Sequence, residues 1–148
     1  MPEFPSVPGP VPPGADLVVA GPADVVSFLH ACGCVGEEPI EVVLGLVLTE
    51  ALPRAHVVCG AAVRDPLGAP RRPLDALQLA DLAAELVVGA VVVASVAADA
   101  RPPTRTEVRR FVELRHACAY RGVALLDRVV IGARAWWSFR ERVHHDAA

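Results

Sequence analysis

The chain alternates between valine- and leucine-rich runs and segments whose apolar residues recur at helical spacing. In "GPADVVSFLHACG" an apolar stripe of Val25, Val26, Phe28 and Leu29 follows Ala23 and Asp24, and Gly33 closes it, which predicts a short helix. "PIEVVLGLVLTE" predicts a strand from about Ile40 to Thr49. After the turn "ALPR", "AHVVCGAAV" predicts a second strand, antiparallel to the first. "RDPLGAPRRP" is a loop by its proline and glycine content. "PLDALQLADLAAEL" places Leu74, Leu77, Leu79 or Ala80, Leu82 and Leu86 at helical spacing, with Pro73 near the start.

"AVVVAS" then predicts a buried strand, "VAADARPP" a loop, and "TRTEVRRFVELRHACAYRG" a long helix closed by Gly122. "VALLDRVVIG" and "ARAWWSFRE" predict two strands around a tight turn at Gly132. Trp136 and Trp137 should point to opposite faces, one into the core and one to a sheet edge or partner. The order α-β-β-α-β-α-β-β implies an α/β fold, a single mixed sheet in an α-β-α sandwich. Residues 1–22 read as a Pro-rich flexible leader, 23–141 as one domain, and 142–148 as a polar C-terminal tail.

Composition narrows the function classes. The 148 residues suit one domain, and its 53% hydrophobic content with only 5% aromatics means that alanine and valine supply the core. The longest apolar run, Leu86 to Ala98, is too short to span a bilayer. The N-terminus lacks the basic and continuous apolar regions of a signal peptide, so a cytoplasmic protein is expected, with no membrane association. A net charge of −3 with scattered basic residues gives no nucleic-acid footprint. Every basic residue is arginine, a bias expected of a GC-rich bacterium, and the lack of lysine excludes Schiff-base chemistry.

The candidate chemistry is sparse. Cys32, Cys34, Cys59 and Cys118 fit neither a zinc pattern nor a redox pair, and read as buried thiols. His30, His56 and His116 lie on separate elements, with His144 and His145 in the tail, so no local metal motif exists. Ser95 has no nucleophile-elbow glycines around it. Thr104-Arg105-Thr106-Glu107 is a T-x-x-E capping box, in which each residue satisfies the other's backbone amide. The alternative for Glu107 is a metal-ligand or acid/base role. Asp127, mid-strand in "LLDRVV", should be paired, with Arg128 or another arginine as partner. Glu41 is either a strand-edge residue or a carboxylate aimed into a cleft.

The run "AVVVAS…PPTRTEV…GVALLDRVVIGARAWWSFRE" resembles the RadC-like branch of the JAB/MPN (JAMM) metalloprotease superfamily, a fold of the cytidine-deaminase-like type. The likeness extends upstream through "PIEVVLGLVLTE" and covers about 23–141. The family has a strand ending in His-x-His, an S-x-x-D at the next helix start and a "LLDH" hairpin. It implies that two histidines and an aspartate hold zinc while a glutamate moves protons for a zinc-bound water. Glu41 falls on that glutamate, Ser95-Val96-Ala97 on His-x-His, Thr104 and Glu107 on S-x-x-D, and Arg128 on the "LLDH" histidine. Serine and alanine cannot replace imidazole as zinc ligands.

The resemblance therefore implies a degenerate metal site, with no cofactor and no zinc expected. It leads to a catalytically inactive scaffold or protein-interaction module, a pseudoenzyme that self-associates as a homodimer or binds a protein partner. The alternative is a small-molecule-binding protein or metal-independent acid/base enzyme using the emptied cleft. Glu41, Ser95, Thr104 and Glu107 would be its vestigial catalytic positions, and Asp99, Asp127 and Arg128 its ligand-binding ones. A further option places Mg²⁺ or Mn²⁺ on Asp99, Glu107 and Glu41.

Overall fold

The computed structural model describes residues 18–19, 21–31, 40–48, 55–63 and 74–146, with side chains described over 21–31, 41–46 and 74–143. The leader before Val18, Cys32 and Cys34, the Gly33 stop and the loop 64–73 lie outside the described residues. So do the side chains of His56, Cys59, His144 and His145.

The elements run β1 (Val18–Val19), α1 (Pro22–Ala31), β2 (Ile40–Leu48), β3 (Ala55–Val63), α2 (Ala76–Leu86), β4 (Ala90–Val96), α3 (Arg105–Tyr120), β5 (Ala124–Ile131), β6 (Trp136–Ser138) and α4 (Phe139–Asp146). Among the described residues they form a mixed α/β structure on one six-stranded sheet of order β1-β3-β2-β4-β5-β6. The β2/β3 pair is antiparallel, as the sequence predicts, and β2/β4 and β5/β6 are antiparallel too. The β4/β5 pair is parallel, so the chain must cross over between them, and α3 is that crossover.

Strand alternation divides the core in two. Val42, Leu44, Leu46, Val92, Ala94, Val96, Val129 and Ile131 pack with α1 on one face. Val43, Val91, Val93 and Leu125 pack with Leu79, Leu82, Val108, Phe111 and Phe139 from α2, α3 and α4 on the other. Because both faces are covered, β4 is buried along almost its whole length. Its reading as a continuous apolar run follows from that burial.

Each helix start has its own chemistry. Thr104 Oγ1 accepts from the Glu107 amide at 3.2 Å, and Glu107 Oε1 accepts from the Thr104 amide at 3.2 Å, which is the reciprocal box the sequence predicts. Asp75 and Gln78 form the same box at α2, the Asp75 carboxylate accepting from the Gln78 amide at 2.8 Å. At α1, Pro22 occupies the first helical position and Asp24 reaches back to the Gly21 amide at 3.2 Å.

Two features depart from the pattern-based reading. The segment "SFRE" opens a helix, α4, where a strand and then a polar tail were expected. Ser138 is fully capable of stopping the strand, because its hydroxyl accepts from the Glu141 amide at 3.2 Å and so caps α4. The short strand β1 was not expected, and it pairs antiparallel with β3 at Val18↔His56.

At the end of α2 the chain turns on Val87, at φ 57° and ψ 47°. The Val88 amide donates to the Ala83 carbonyl at 3.0 Å and the Val87 amide to Ala84 at 3.2 Å. This Schellman-type closure normally uses glycine, and a β-branched residue is strained there. Among the described residues, no helix is long and apolar enough to cross a membrane.

Candidate functional site

The face of the sheet covered by α2 and α3 carries the polar positions of interest. On β2, Glu41 lies two residues before Val43 and so shares its face. It sits directly opposite Ser95 of β4. Arg128 of β5 pairs with Val93, on that same face. A cleft of about 540 Å³ is lined by residues of this sheet face and of α2 and α3.

Glu41 of β2, Glu107 of α3 and Arg128 of β5 all line this cleft. Among the described residues, Asp75, Arg110 and Glu113 add further charged groups to its lining, and Val93, Phe111, Leu114 and Leu125 add apolar wall. Glu41 is only 5% exposed, which is unusual for a carboxylate. Sequence reasoning placed it between an edge residue and a cleft residue, and the structure puts it at the cleft.

The Glu107 carboxylate has two aspects. It is tied to the Thr104 amide as a cap, while Glu107 as a residue also lines the cleft. Thr104 itself is exposed and does not line the cleft. Asp99 is exposed in the turn after β4 and is likewise outside it. Ser95 sits beside Glu41, and its buried hydroxyl has no hydrogen-bond partner among the described residues.

Arg128 is held by packing. Its guanidinium carbon lies 5.2 Å from the centroid of the Phe139 ring, a cation–π geometry. Phe139 is fully buried and stands 5.7 Å from the Phe111 ring at 58°, so the stack continues into α3. The Arg128 Nε is buried and has no hydrogen-bond partner among the described residues. Arginine cannot shed its proton, so that N–H remains a donor.

Asp127 has a different task. It pairs with Val92, a residue of the α1-side core, and does not line the cleft. The Ser138 hydroxyl donates to Asp127 Oδ2 at 2.6 Å, and the Arg140 amide donates to Oδ1 at 2.9 Å. Its hydrogen-bond partners are thus a serine hydroxyl and the Arg140 amide at the open end of α4; of the two partners the sequence suggested, Arg128 or another arginine, it is Arg140 whose charge acts on it. Burial pushes the Asp127 carboxyl above its usual value, partly offset by these hydrogen bonds. This aspartate fastens β5 to the β6–α4 corner.

The remaining candidates stay apart. Burial raises the Cys118 thiol, which makes it a poor nucleophile and agrees with the buried-thiol reading. His30 and His116 are exposed on α1 and α3. Among the described residues, no three His, Cys, Asp or Glu side chains gather to hold a metal ion, and Asp99, Glu107 and Glu41 do not meet.

Sequence reasoning missed Asp75, Arg110 and Glu113. The D-x-x-Q spacing of Asp75 and Gln78 marks the start of α2 and was available as a signal. Arg110 and Glu113 carry no local signal, because only the docking of α3 on the sheet brings them to the rim. Comparison of the chain with protein-family models and with curated proteins returned no match.

Proposed function

We propose that this chain is a zinc-free, RadC-like JAB/MPN domain that binds a small molecule in its cleft and does not hydrolyse amides. One observation carries the reading: Glu41, Glu107 and Arg128, from three separate elements, converge on one cleft of about 540 Å³. That volume suits a small ligand, and an apolar wall with few convergent polar groups is the usual makeup of such sites. The geometry therefore favours the small-molecule alternative over the scaffold. Ser95 and Ala97, which stand where the family's zinc histidines fall, offer no imidazole.

The test has two arms on the full chain. Metal analysis after purification should find no stoichiometric zinc, and stoichiometric zinc would overturn the zinc-free reading. A fragment screen followed by amide chemical shifts should move Glu41, Val93, Phe111 and Arg128 together. Shifts confined to other surfaces would overturn the cleft as the binding site.

A scaffold role keeps one supporting observation. Tyr120 is 96% exposed and Val87 84% exposed, at the ends of α3 and α2 that precede the parallel strands β5 and β4. Light scattering would show a dimer if these residues mediate self-association, and a clean monomer would remove the homodimer reading.

A further inference from the structure

We infer that two copies of this chain pair through the outer faces of α2 and α3, about a twofold axis running along the helices, so that α2 of each protomer lies on α3 of its partner. This pairing is independent of the cleft and its ligand, and it gives the self-association raised above a surface and a symmetry. The two helices lie side by side over one face of the sheet. Among the described residues, the large hydrophobic side chains left exposed are Leu77, Val87 and Tyr120, and all three belong to this layer. Val87 and Tyr120 stand at the same end of it, because Gly89 and Ala124, just beyond them, are joined by an amide-to-carbonyl bond of 2.9 Å. An apolar cluster of this kind gains by being covered.

Charge names the occupant. The helix α2 exposes Asp81 and Glu85 and holds no basic residue, whereas α3 and its cap expose Arg105, Arg109, Arg110 and Arg121 against Glu107 and Glu113. An interface between two identical copies has to complement itself, and an acidic helix beside a basic one does. A twofold axis across the helices would stack α2 on α2 and α3 on α3, like charge on like. An axis along them stacks acidic α2 on basic α3 twice over. Because both helices run into parallel strands, that axis also keeps their ends level and brings Val87 of one copy over Tyr120 of the other. A phosphate backbone fits less well, since Asp81 and Glu85 repel what the arginines attract. The helices span only about 17 Å and about 24 Å, so the patch makes a weak, reversible interface.

Sedimentation equilibrium of the full chain tests the pairing. Between about 10 µM and about 1 mM protein it should show monomer and dimer in exchange at about 50 mM salt, with affinity about tenfold or more lower at about 500 mM. Asp81→Arg with Glu85→Arg, and separately Arg109→Glu with Arg121→Glu, should each be monomeric, with near-ultraviolet dichroism of the tryptophans confirming the fold. Mixed together, the two variants should associate again, because each acidic helix then meets a basic one, a rescue that misfolding cannot produce. Tyr120→Asp should weaken the unreversed dimer by about tenfold. A monomer at every concentration, a dimer indifferent to salt and to both charge reversals, or a mixture that stays monomeric would overturn the pairing. So would a monomer that binds a short DNA duplex through Arg109 and Arg121, which would give the face to a nucleic acid. None of these results bears on the cleft, which the fragment shifts test separately.

Discussion

Asp127 shows how one buried carboxylate can be tolerated at 5% exposure when a hydroxyl and a helix-start amide both donate to it. Burial nevertheless raises its carboxyl from 3.8, so the native state holds a proton that the unfolded chain has already released. Stability therefore falls as pH rises from 3.8 through the raised value, and the loss is complete above both. Asp127→Asn removes this titration while keeping the side-chain shape. The wild-type minus variant unfolding free energy, from urea curves at several pH values, should shrink with rising pH, and a difference that grows would contradict it. Val87 is the opposite case, an exposed side chain whose backbone pays. Left-handed geometry costs an L-residue about 1–2 kcal/mol, of which glycine's extra chain entropy takes back up to about 1. Val87→Gly should thus raise stability by as much as about 1 kcal/mol, read as a higher urea midpoint; a lowered one would mean that the valine makes contacts worth more than its strain.

At the level of elements, local chemistry was legible wherever it was local. The T-x-x-E box at Thr104 and the β2/β3 antiparallel pair were readable because each is set by residues a few positions apart. The start of α4 was not read, although Ser138 and Glu141 share the S-x-x-E spacing of a capping box. The preceding Trp136 and Trp137 favour a strand, and α4 has too weak an apolar stripe to announce itself. Its anchor is Phe139, buried against Phe111, and its cap is tied to a strand residue 11 positions earlier. The two caps should differ in worth accordingly. Thr104→Ala, at an exposed cap, should cost about 1 kcal/mol. Ser138→Ala removes a cap and also strips a buried carboxylate of a donor, which brings its cost to about 2–3 kcal/mol. Urea unfolding of both variants checks the ranking, and equal losses would show that Asp127 does not depend on Ser138.

Across the whole molecule, the cleft was legible only in fragments. Glu41, Glu107 and Arg128 were each singled out from sequence, but their meeting depends on the register of β2, β4 and β5 and on where α3 docks. No sequence pattern encodes those two quantities directly. Which arginine stands by Asp127 was unreadable for the same reason: being next to Arg128 in sequence puts it on the other face of the sheet, against Val92, and Arg140 is the one beside it. Gly45 illustrates the same long-range dependence, since a Cβ there would come within 3.1 Å of Leu86, the last residue of α2, and 3.0 Å of Val88 just after it.

The double-sided pairing of β4 has a consequence for motion. Its backbone is bonded to β2 on one flank and to β5 on the other, and helices seal both faces. Its amide hydrogens can therefore trade with solvent deuterium only when the whole domain opens, whereas β6, three residues long at the sheet edge, can trade through small local fluctuations. Peptides covering 90–96 should be the last to take up deuterium, and early uptake there would mean the sheet splits along that strand. Val93, part of the cleft lining, belongs to this slowest segment. Any breathing that admits a ligand must then come from the helical wall, with the strand beneath it acting as a fixed anvil.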